Sequence, residues 1–397
     1  MKRGKRRGIA ALGILAVLLC AVLLLRADSE RSRRPIPAPP FFFGEQDAAE
    51  PTPLPDPLET LLSGMTPEEK VWQMFVLRPE QVTGEDSTAD AALWTESLSR
   101  RPVGGLVFNG TNMESPEALK DMLAAAGGLS SRGVAPFLCV DEEGGTVARL
   151  AYYLGVTTDF KPMFTYREGG TETAYANART IAEDVCGFGF NLDFAPVADV
   201  WTNPANTVIG KRAYSDDPTE AAALVAAAVQ GFHDGGVMTV LKHFPGHGDT
   251  AEDSHLGAAY SDKTLEELEE CEFLPFASGI AAGTDAVMMS HITLNAVAPG
   301  VPASLSRTVV TGLLREKLGF RDGVVITDAM EMSALAELDP CDAAVMAVEA
   351  GCDLLLAPPD PDAAAAAILA RVPESRLDES VLRILRLKQA RGLLVLE

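Results

Sequence analysis

The stretch VMTVLKHFPG, residues 237–246, has the pattern of a β-strand that is buried on both faces. Its apolar run ends in Lys242 and His243, and Pro245 and Gly246 then interrupt regular structure. Continuous apolar runs are typical of parallel sheets, because helices cover both faces of such a sheet. Polar side chains at the C-terminal end of a parallel strand indicate a functional site at that edge.

Seven other short runs along the chain share this pattern. They are QMFVL (73–77), VGGLVFNG (103–110), APFLCVDEEGG (135–145), FNLDFAPVADV (190–200), DAVMMSHI (285–292), GVVITDAM (323–330) and CDLLLAP (352–358). Helical stretches such as TLEELEECEFLPFASGIAAG (264–283) lie between them. The alternation predicts an α/β fold, and eight strands are the number that closes a single (β/α)₈ barrel of the TIM type. An open doubly wound sheet produces the same alternation, so the alternation fits both a closed barrel and an open sheet.

The first helix of the predicted barrel has a start signal in the sequence. In MTPEEKVWQMFVL, residues 65–77, Thr66 is a cap residue, Pro67 occupies the first helical position and Glu69 completes a capping box. We place the barrel domain at residues 58–397. Residues 26–57 are rich in proline and charge, which predicts a flexible spacer.

The N-terminal segment predicts export. The basic stretch MKRGKRR precedes an uncharged run from Gly8 to Leu25, whose length lies between that of a signal peptide and that of a membrane-spanning helix. We therefore expect residues 1–25 to be a signal anchor or a signal peptide. The basic flank places the rest of the chain outside the cytoplasm, anchored to the cell membrane or secreted after cleavage. Acylation of Cys20, as in a lipoprotein, is an alternative.

The charge of the chain excludes a polyanionic partner. The formal net charge is −23, from 33 basic and 56 acidic residues. Nine of the basic side chains lie in residues 1–34, so the remainder of the chain is more acidic still. Because nucleic-acid binding depends on phosphate neutralisation by Lys and Arg, we expect no nucleic-acid partner. We expect a monomer that contacts the membrane only through its N-terminal segment.

The stretch KHFPGHGDTAEDSH, residues 242–255, holds three of the five histidines. Its proline and glycines exclude a continuous helix, so a loop over the barrel mouth is expected. Asp253 and His255 are two apart, which places both side chains on one face of an extended backbone. A carboxylate beside an imidazole fixes its tautomer and suits it to proton transfer near neutral pH.

Asp328 follows the predicted strand GVVIT. Alone, it is best interpreted as a helix cap after a strand. Together with a histidine-bearing loop on the same face, it is a candidate nucleophile at a sugar anomeric carbon, because retaining glycosidases need one group that attacks and one that protonates the leaving oxygen.

Five motifs, taken together, resemble glycoside hydrolase family 3, and within it the β-N-acetylglucosaminidase branch typified by the enzyme of cell-wall recycling. They are DEEGG (141–145), FNLDFAPVADV (190–200), NTVIGKRAY (206–214), KHFPGHGDTAEDSH (242–255) and GVVITDAMEM (323–332). The likeness runs from about residue 60 to SVLRILRLKQARGLL at 380–394.

The resemblance implies a role for each matching residue. Asp328 is the implied nucleophile, His255 the acid/base and Asp253 its partner. The hydroxyls of the terminal sugar are implied to contact Asp141, Arg212, Lys242 and His243. The implied reaction removes terminal β-linked N-acetylglucosamine with retention, from peptidoglycan-derived muropeptides or related glycans, without a metal or another cofactor. From the residues alone, Arg212 and Lys242 can also be structural ion pairs with barrel carboxylates.

Weaker candidates surround these residues. Glu142 and Glu143 are expected to orient Asp141, and Asp193 and Asp199 to accept structural hydrogen bonds near the site. His247 is expected to support its loop, Glu331 to face the following helix, and His291 to be either a pocket wall or a satisfied core residue.

Two departures from the family pattern bear on specificity. Thr146 stands where the family often has arginine after the Gly-Gly pair, which puts contacts outside the terminal-sugar subsite in doubt. After the last predicted barrel helix we expect no second α/β sandwich domain, the domain that can supply a glutamate acid in the glucosidase branch. The histidine loop is then the expected proton donor, which favours the glucosaminidase branch.

Other functions stay open at this stage. A metal-dependent hydrolase could use His243, His247, Asp249, Asp253 and His255 as ligands. A non-catalytic wall-binding protein on the same barrel is a third class. Within the family, β-glucosidase or β-xylosidase specificity and N-acetylglucosaminide phosphorolysis are alternatives.

Overall fold

Eight parallel strands form the centre of the computed structural model, which describes residues 56–128, 132–251 and 257–396. The strands are β1 Phe75–Leu77, β2 Gly105–Val107, β3 Phe137–Val140, β4 Leu192–Asp193, β5 Met238–Phe244, β6 Ala286–Met289, β7 Val324–Thr327 and β8 Leu355–Leu356. Each strand from β1 to β6 pairs with the next in parallel, and β8 pairs in parallel with β1.

The barrel closes between β7 and β8. A parallel bridge joins Ile326 to Leu354, and the Thr327 amide donates to the Leu354 carbonyl at 3.0 Å. The predicted (β/α)₈ barrel is therefore confirmed, and the open doubly wound sheet is excluded. Because the strands are covered by helices outside and packed side chains inside, all residues of β3, β5, β6 and β7 are buried.

Helices connect the strands and form the outer layer. They are α1 Pro57–Ser63, α2 Pro67–Gln73, α3 Pro79–Thr83, α4 Ala91–Arg100, α5 Pro116–Gly127, α6 Arg149–Leu154, α7 Gly170–Phe188, α8 Pro218–Asp234, α9 Leu265–Glu270, α10 Phe273–Ala281, α11 Thr308–Lys317 with π-type hydrogen bonds, α12 Pro340–Ala350, α13 Pro361–Arg371 and α14 Glu374–Ala390. None of the helices in the described ranges is long and apolar enough to cross a membrane. The predicted signal segment, residues 1–25, and residues 26–55 of the predicted spacer lie outside those ranges.

Many of these helices begin with a cap residue followed by proline. Side-chain oxygens of Asp56, Thr66, Ser115, Asp217, Asp339 and Asp360 accept hydrogen bonds from the first helical amides, and proline follows each of them. Proline is favourable there because its missing N–H has no helical partner at that position. The capping box predicted at Thr66 and Glu69 is confirmed.

The predicted helix at residues 264–283 is two helices in the structure. Thr264 and Glu267 form a capping box at the start of α9, and the chain leaves helical geometry at Cys271. Pro275 lies four residues later, where its ring excludes the carbonyl of Cys271 and its nitrogen has no proton to donate. This proline accounts for the break between α9 and α10.

The side chain of Lys388, in α14, is fully buried in the core. Its Nζ donates to Gln73 Oε1 at 3.0 Å and lies 4.9 Å from the ring centroid of Phe137. Burial lowers the pKa of Lys388 to about 7, because the charged ammonium loses its hydration, and the neighbouring Cys139 opposes this only in part.

We expect the Lys388→Met variant to lose a pH dependence that the parent has. The ordinary lysine pKa is 10.5, so between pH 7 and that value the unfolded chain binds more protons than the folded one. The parent should therefore lose stability as pH falls through this range, by at most about 1.4 kcal/mol per pH unit. Urea denaturation at several pH values measures the difference, with the exposed Lys161→Met as control. Parallel pH profiles of parent and Lys388→Met would contradict the prediction.

Candidate active site

A cavity of about 720 Å³ opens at the C-terminal ends of the barrel strands. Five of the predicted site residues line it: Asp141, Arg212, Lys242, His243 and Asp328. They come from four segments, namely the ends of β3, β5 and β7 and the turn Gly210–Arg212 after β4. Strands that are parallel bring their C-terminal ends to the same face, which is why residues far apart in the chain meet here.

Lys242 holds two carboxylates at the floor of the cavity. Its Nζ lies 2.6 Å from Asp141 Oδ1 and 2.6 Å from Glu143 Oε1. The Asp141 side chain is 28% exposed and the Glu143 side chain 1%. Asp141 can therefore contact a ligand directly, whereas Glu143 lies beneath the surface and acts on Lys242.

Glu143 also binds Arg212 in a bidentate pair. The guanidinium donates from Nε at 2.9 Å and from Nη2 at 2.7 Å. The carboxylate belongs to a hairpin, Glu142–Gly144 paired with Val147–Ala148. Gly144 and Gly145 turn this hairpin with φ of 89° and 61°, which L side chains adopt only with strain. The glycine pair of DEEGG thus places Glu143 under the cavity.

The charges of this cluster stabilise one another. Burial alone would raise the pKa of Glu143, but Arg212 and Lys242 lower it to about 2. Burial acts to lower the pKa of Lys242, yet Asp141 and Glu143 keep it above its ordinary value, and Glu143 does the same for Arg212. Two anions and two cations therefore face each other, so the cluster has no net charge at neutral pH.

Asp199 orients His243. Its Oδ2 lies 2.7 Å from His243 Nδ1, and its Oδ1 accepts the His247 amide at 2.7 Å. Burial opposes ionisation of Asp199, but His243 lowers its pKa below the ordinary value. The carboxylate accepts the Nδ1 proton, and His243 Nε2 lies 3.4 Å from Arg212 Nη2, which can only donate. The expectation that Asp199 accepts hydrogen bonds near the site is confirmed.

His291 lies behind Asp328 and contacts the same loop. The Ala329 amide donates to Asp328 Oδ1 at 2.8 Å, and the Ala329 carbonyl lies 3.1 Å from His291 Nε2. A carbonyl only accepts, so Nε2 carries the proton, and Nδ1 accepts from the Ser304 hydroxyl at 2.7 Å. Of the two interpretations of His291, the buried core residue is confirmed, and it holds the carbonyl of Ala329, the residue whose amide bonds to the Asp328 carboxylate.

The predicted proton-transfer residues, Asp253 and His255, lie outside the described residues. The loop that leads to them is held in place on its N-terminal side. His247 is buried, and its Nδ1 lies 2.8 Å from Thr250 Oγ1, which confirms its expected supporting role. Across residues 56–128, 132–251 and 257–396, no group of three or more His, Cys, Asp or Glu side chains has an arrangement that could hold a metal ion.

The structure adds residues that the sequence did not single out. Arg78, at the end of β1, forms a bidentate pair with Glu331, with 2.7 Å between Arg78 Nη1 and Glu331 Oε2. Both side chains line the cavity, so the expectation that Glu331 faces the following helix is wrong. Arg149, at the start of α6, also lines it. Arg78 could have been predicted from its position directly after the strand β1. Arg149 begins a helix, and its position in the sequence does not indicate that it lines the cavity.

A closed (β/α)₈ barrel with paired carboxylates and cations at its mouth has the construction of an enzyme site for a polar, uncharged ligand. Comparison with known proteins identifies the family. Residues 66–387 match the model described as the glycosyl hydrolase family 3 N-terminal domain. Proteins named beta-hexosaminidase from Stenotrophomonas maltophilia (strain K279a) and Xylella fastidiosa (strain M23) are each 38% identical over 286 and 280 residues, which is 69% of this chain and 81% of each relative.

Solved structures agree. A glycoside hydrolase family 3 β-N-acetylglucosaminidase from Paenibacillus sp. str. FPU-7 is 38% identical to this chain, with a TM-score of 0.75. The match covers 83% of this chain and 63% of that protein. A β-N-acetylhexosaminidase from Beutenbergia cavernae DSM 12333 is 30% identical with a TM-score of 0.69, covering 83% of this chain and 99% of that one. The chain belongs to glycosyl hydrolase family 3. It is a glycoside hydrolase of the β-hexosaminidase type.

Proposed function

We propose that the protein is a retaining exo-β-N-acetylglucosaminidase that removes terminal N-acetylglucosamine from peptidoglycan-derived muropeptides or related glycans. Asp328 attacks the anomeric carbon, and His255, paired with Asp253, first protonates the leaving oxygen and then activates water. The observation that carries the proposal is the common cavity, where Asp328 lies together with the charge-balanced cluster of Asp141, Glu143, Lys242 and Arg212.

The cluster fits the hydroxyls of a pyranose ring. Each hydroxyl is both a donor and an acceptor. Asp141 and the Nε2 of His243 supply acceptors, while Lys242 and Arg212 supply donors. Because the anions balance the cations, a neutral ring is favoured over a phosphate or another anion at this position. This arrangement supports a sugar in the cavity.

Hydrolysis of nitrophenyl glycosides tests the specificity. We expect the β-N-acetylglucosaminide to be cleaved with much higher kcat/KM than the β-glucoside or β-xyloside, at a rate that phosphate does not change. A preference for the glucoside would reject the hexosaminidase proposal. Formation of a sugar phosphate at a phosphate-dependent rate would identify a phosphorylase, and loss of activity with a chelator, restored by metal, would identify a metal-dependent hydrolase.

A histidine donor suits a substrate that carries a carboxylate near the leaving oxygen, as the lactyl group of N-acetylmuramic acid does. A carboxylate donor would experience like-charge repulsion there, whereas imidazole becomes neutral when it gives up its proton. This reasoning supports the muropeptide as the substrate, and it makes the Asp253–His255 pair the element on which the proposal depends.

We expect Asp253→Ala to slow cleavage of an unactivated disaccharide by about 10²- to 10³-fold. His255 loses its anionic neighbour, so its pKa falls and the basic limb of the pH–rate profile moves to lower pH. The effect should be smaller on a nitrophenyl glycoside, whose leaving group needs less protonation. An Asp253→Ala variant with the parent rate and pH profile on the disaccharide would show that the pair only packs the loop.

We propose further that the barrel lies outside the cytoplasm, held at the cell membrane by residues 1–25 or released after cleavage. The basic stretch before an 18-residue uncharged run supports this location. Protease added to intact cells should digest the barrel. Protection of the barrel from protease would reject the location.

A further inference from the structure

Two adjacent tyrosines of α6 are exposed to solvent. Tyr152 is 81% exposed and Tyr153 46% exposed. Their rings contact edge to face, with centroids 4.9 Å apart and an interplanar angle of 89°. Exposed aromatic rings in fixed contact are unusual, because each leaves a large apolar surface in water, and such surfaces often mark binding sites.

The tyrosine pair lies at the rim of the cavity. α6 begins at Arg149, which lines the cavity, and Thr146 and Val147 just before it also line it. On the other side, the Tyr153 ring covers Gly110, where an added Cβ would come within 2.3 Å of the ring. Gly110 follows Asn109, another lining residue. The pair therefore bridges the loops that follow β2 and β3, directly beside the site proposed for the terminal sugar.

We propose that Tyr152 and Tyr153 form an aglycone subsite, where the sugar ring on the reducing side of the cleaved bond packs its C–H face against the tyrosine rings. The inference rests on the proposed function, since it takes the cavity as the site of the terminal sugar. A pyranose has an apolar face lined by ring hydrogens and polar hydroxyls at its edge. An exposed tyrosine offers the matching combination, an apolar ring with a hydroxyl that stays in water.

The size of the surface favours a sugar over a protein partner. A stable protein interface buries about 800 Å² on each side, whereas two tyrosine rings offer only a fraction of that area. The other large exposed apolar residues of the described ranges lie on different elements, at Tyr260, Leu274, Leu338 and Val395. The tyrosine pair is thus an isolated patch of the size of one or two rings, three and four residues after the cavity-lining Arg149.

Two substrates that differ only in the aglycone test the subsite. One is the β-1,4-linked disaccharide of N-acetylglucosamine, and the other is N-acetyl-β-glucosaminyl fluoride, whose leaving group has no ring. We expect Tyr152→Ala to raise the KM for the disaccharide on the order of 10-fold, as the loss of part of an aromatic contact predicts. Its kinetics on the fluoride should equal those of the parent, and Tyr152→Phe should retain the parent kinetics on both substrates.

Val395→Ala is the matched control. Val395 is 75% exposed, and the bridge of its neighbour Leu394 to Val134 places it at the N-terminal end of β3, opposite the cavity. Parent kinetics of Tyr152→Ala on the disaccharide would overturn the subsite, and so would an equal loss on both substrates. A parent enzyme that cleaves neither substrate would instead reject the proposed function, so the two failures are distinguishable.

Discussion

Replacing Asp328 with alanine should lower kcat for N-acetylglucosaminide hydrolysis on the order of 10⁴- to 10⁶-fold. The carboxylate follows β7 at the cavity wall, and its Oδ1 accepts a hydrogen bond from the Ala329 amide at 2.8 Å. Asp328→Asn keeps the size of the side chain and an oxygen that can accept this amide, and should lose activity to a similar degree. Circular dichroism and thermal melting check that both variants fold as the parent does.

Azide distinguishes a lost nucleophile from a lost acid/base. In Asp328→Ala, azide can attack an activated substrate in place of the carboxylate, and this single displacement yields the α-glycosyl azide. In Asp253→Ala, azide attacks the glycosyl-enzyme on Asp328, and the two displacements yield the β-glycosyl azide. A β-azide from Asp328→Ala, or an α-anomer as the first hydrolysis product of the parent, would falsify the assignment of Asp328 as nucleophile.

Glu143→Gln should have the largest effect on stability. The variant leaves the buried Arg212 and Lys242 without the carboxylate that lies 2.7 Å and 2.6 Å from them. Removing one partner of a buried ion pair costs about 3 to 5 kcal/mol, because the remaining charge is not compensated. Urea denaturation at pH 7 measures the free energy of unfolding, and KM for the nitrophenyl N-acetylglucosaminide should rise as the two cations lose their positions.

The pH dependence of this effect has a defined sign. The pKa of Glu143 is about 2 in the folded protein, below its ordinary value of 4.5. Its contribution is therefore complete above pH 4.5 and declines as pH falls towards 2, so the difference between parent and Glu143→Gln should shrink over that interval. Glu172→Gln, which removes an exposed carboxylate of α7, should change stability by less than about 0.5 kcal/mol. Equal stability of Glu143→Gln and the parent at pH 7 would mean that the cluster does not stabilise the barrel.

Local patterns were enough to predict the strands, the helix start at Thr66 and part of the site. A parallel strand is buried on both faces and therefore appears as an apolar run, and the residue that ends the run faces the barrel mouth. This reasoning predicts that Asp141, Lys242, His243 and Asp328 meet at one cavity, as they do in the barrel. It also locates the capping box at Thr66, because a cap bonds only to its own helix. The roles of Asp253 and His255 rest on the sequence alone.

Contacts between distant segments depended on the tertiary structure. Closure of the barrel requires β7 to pair with β8. The apolar runs have the same lengths in a closed barrel and in an open sheet, so they do not predict this pairing. The pairing of Arg78 with Glu331 joins residues 253 positions apart. Glu143 binds Arg212 of the turn after β4 and Lys242 of β5. Strand order and barrel closure decide which segments meet. An ion pair between two such segments leaves no periodic pattern in the sequence of either one. The sequence by itself therefore determined which residues reach the barrel mouth, and only the folded barrel decided which of them hold one another there.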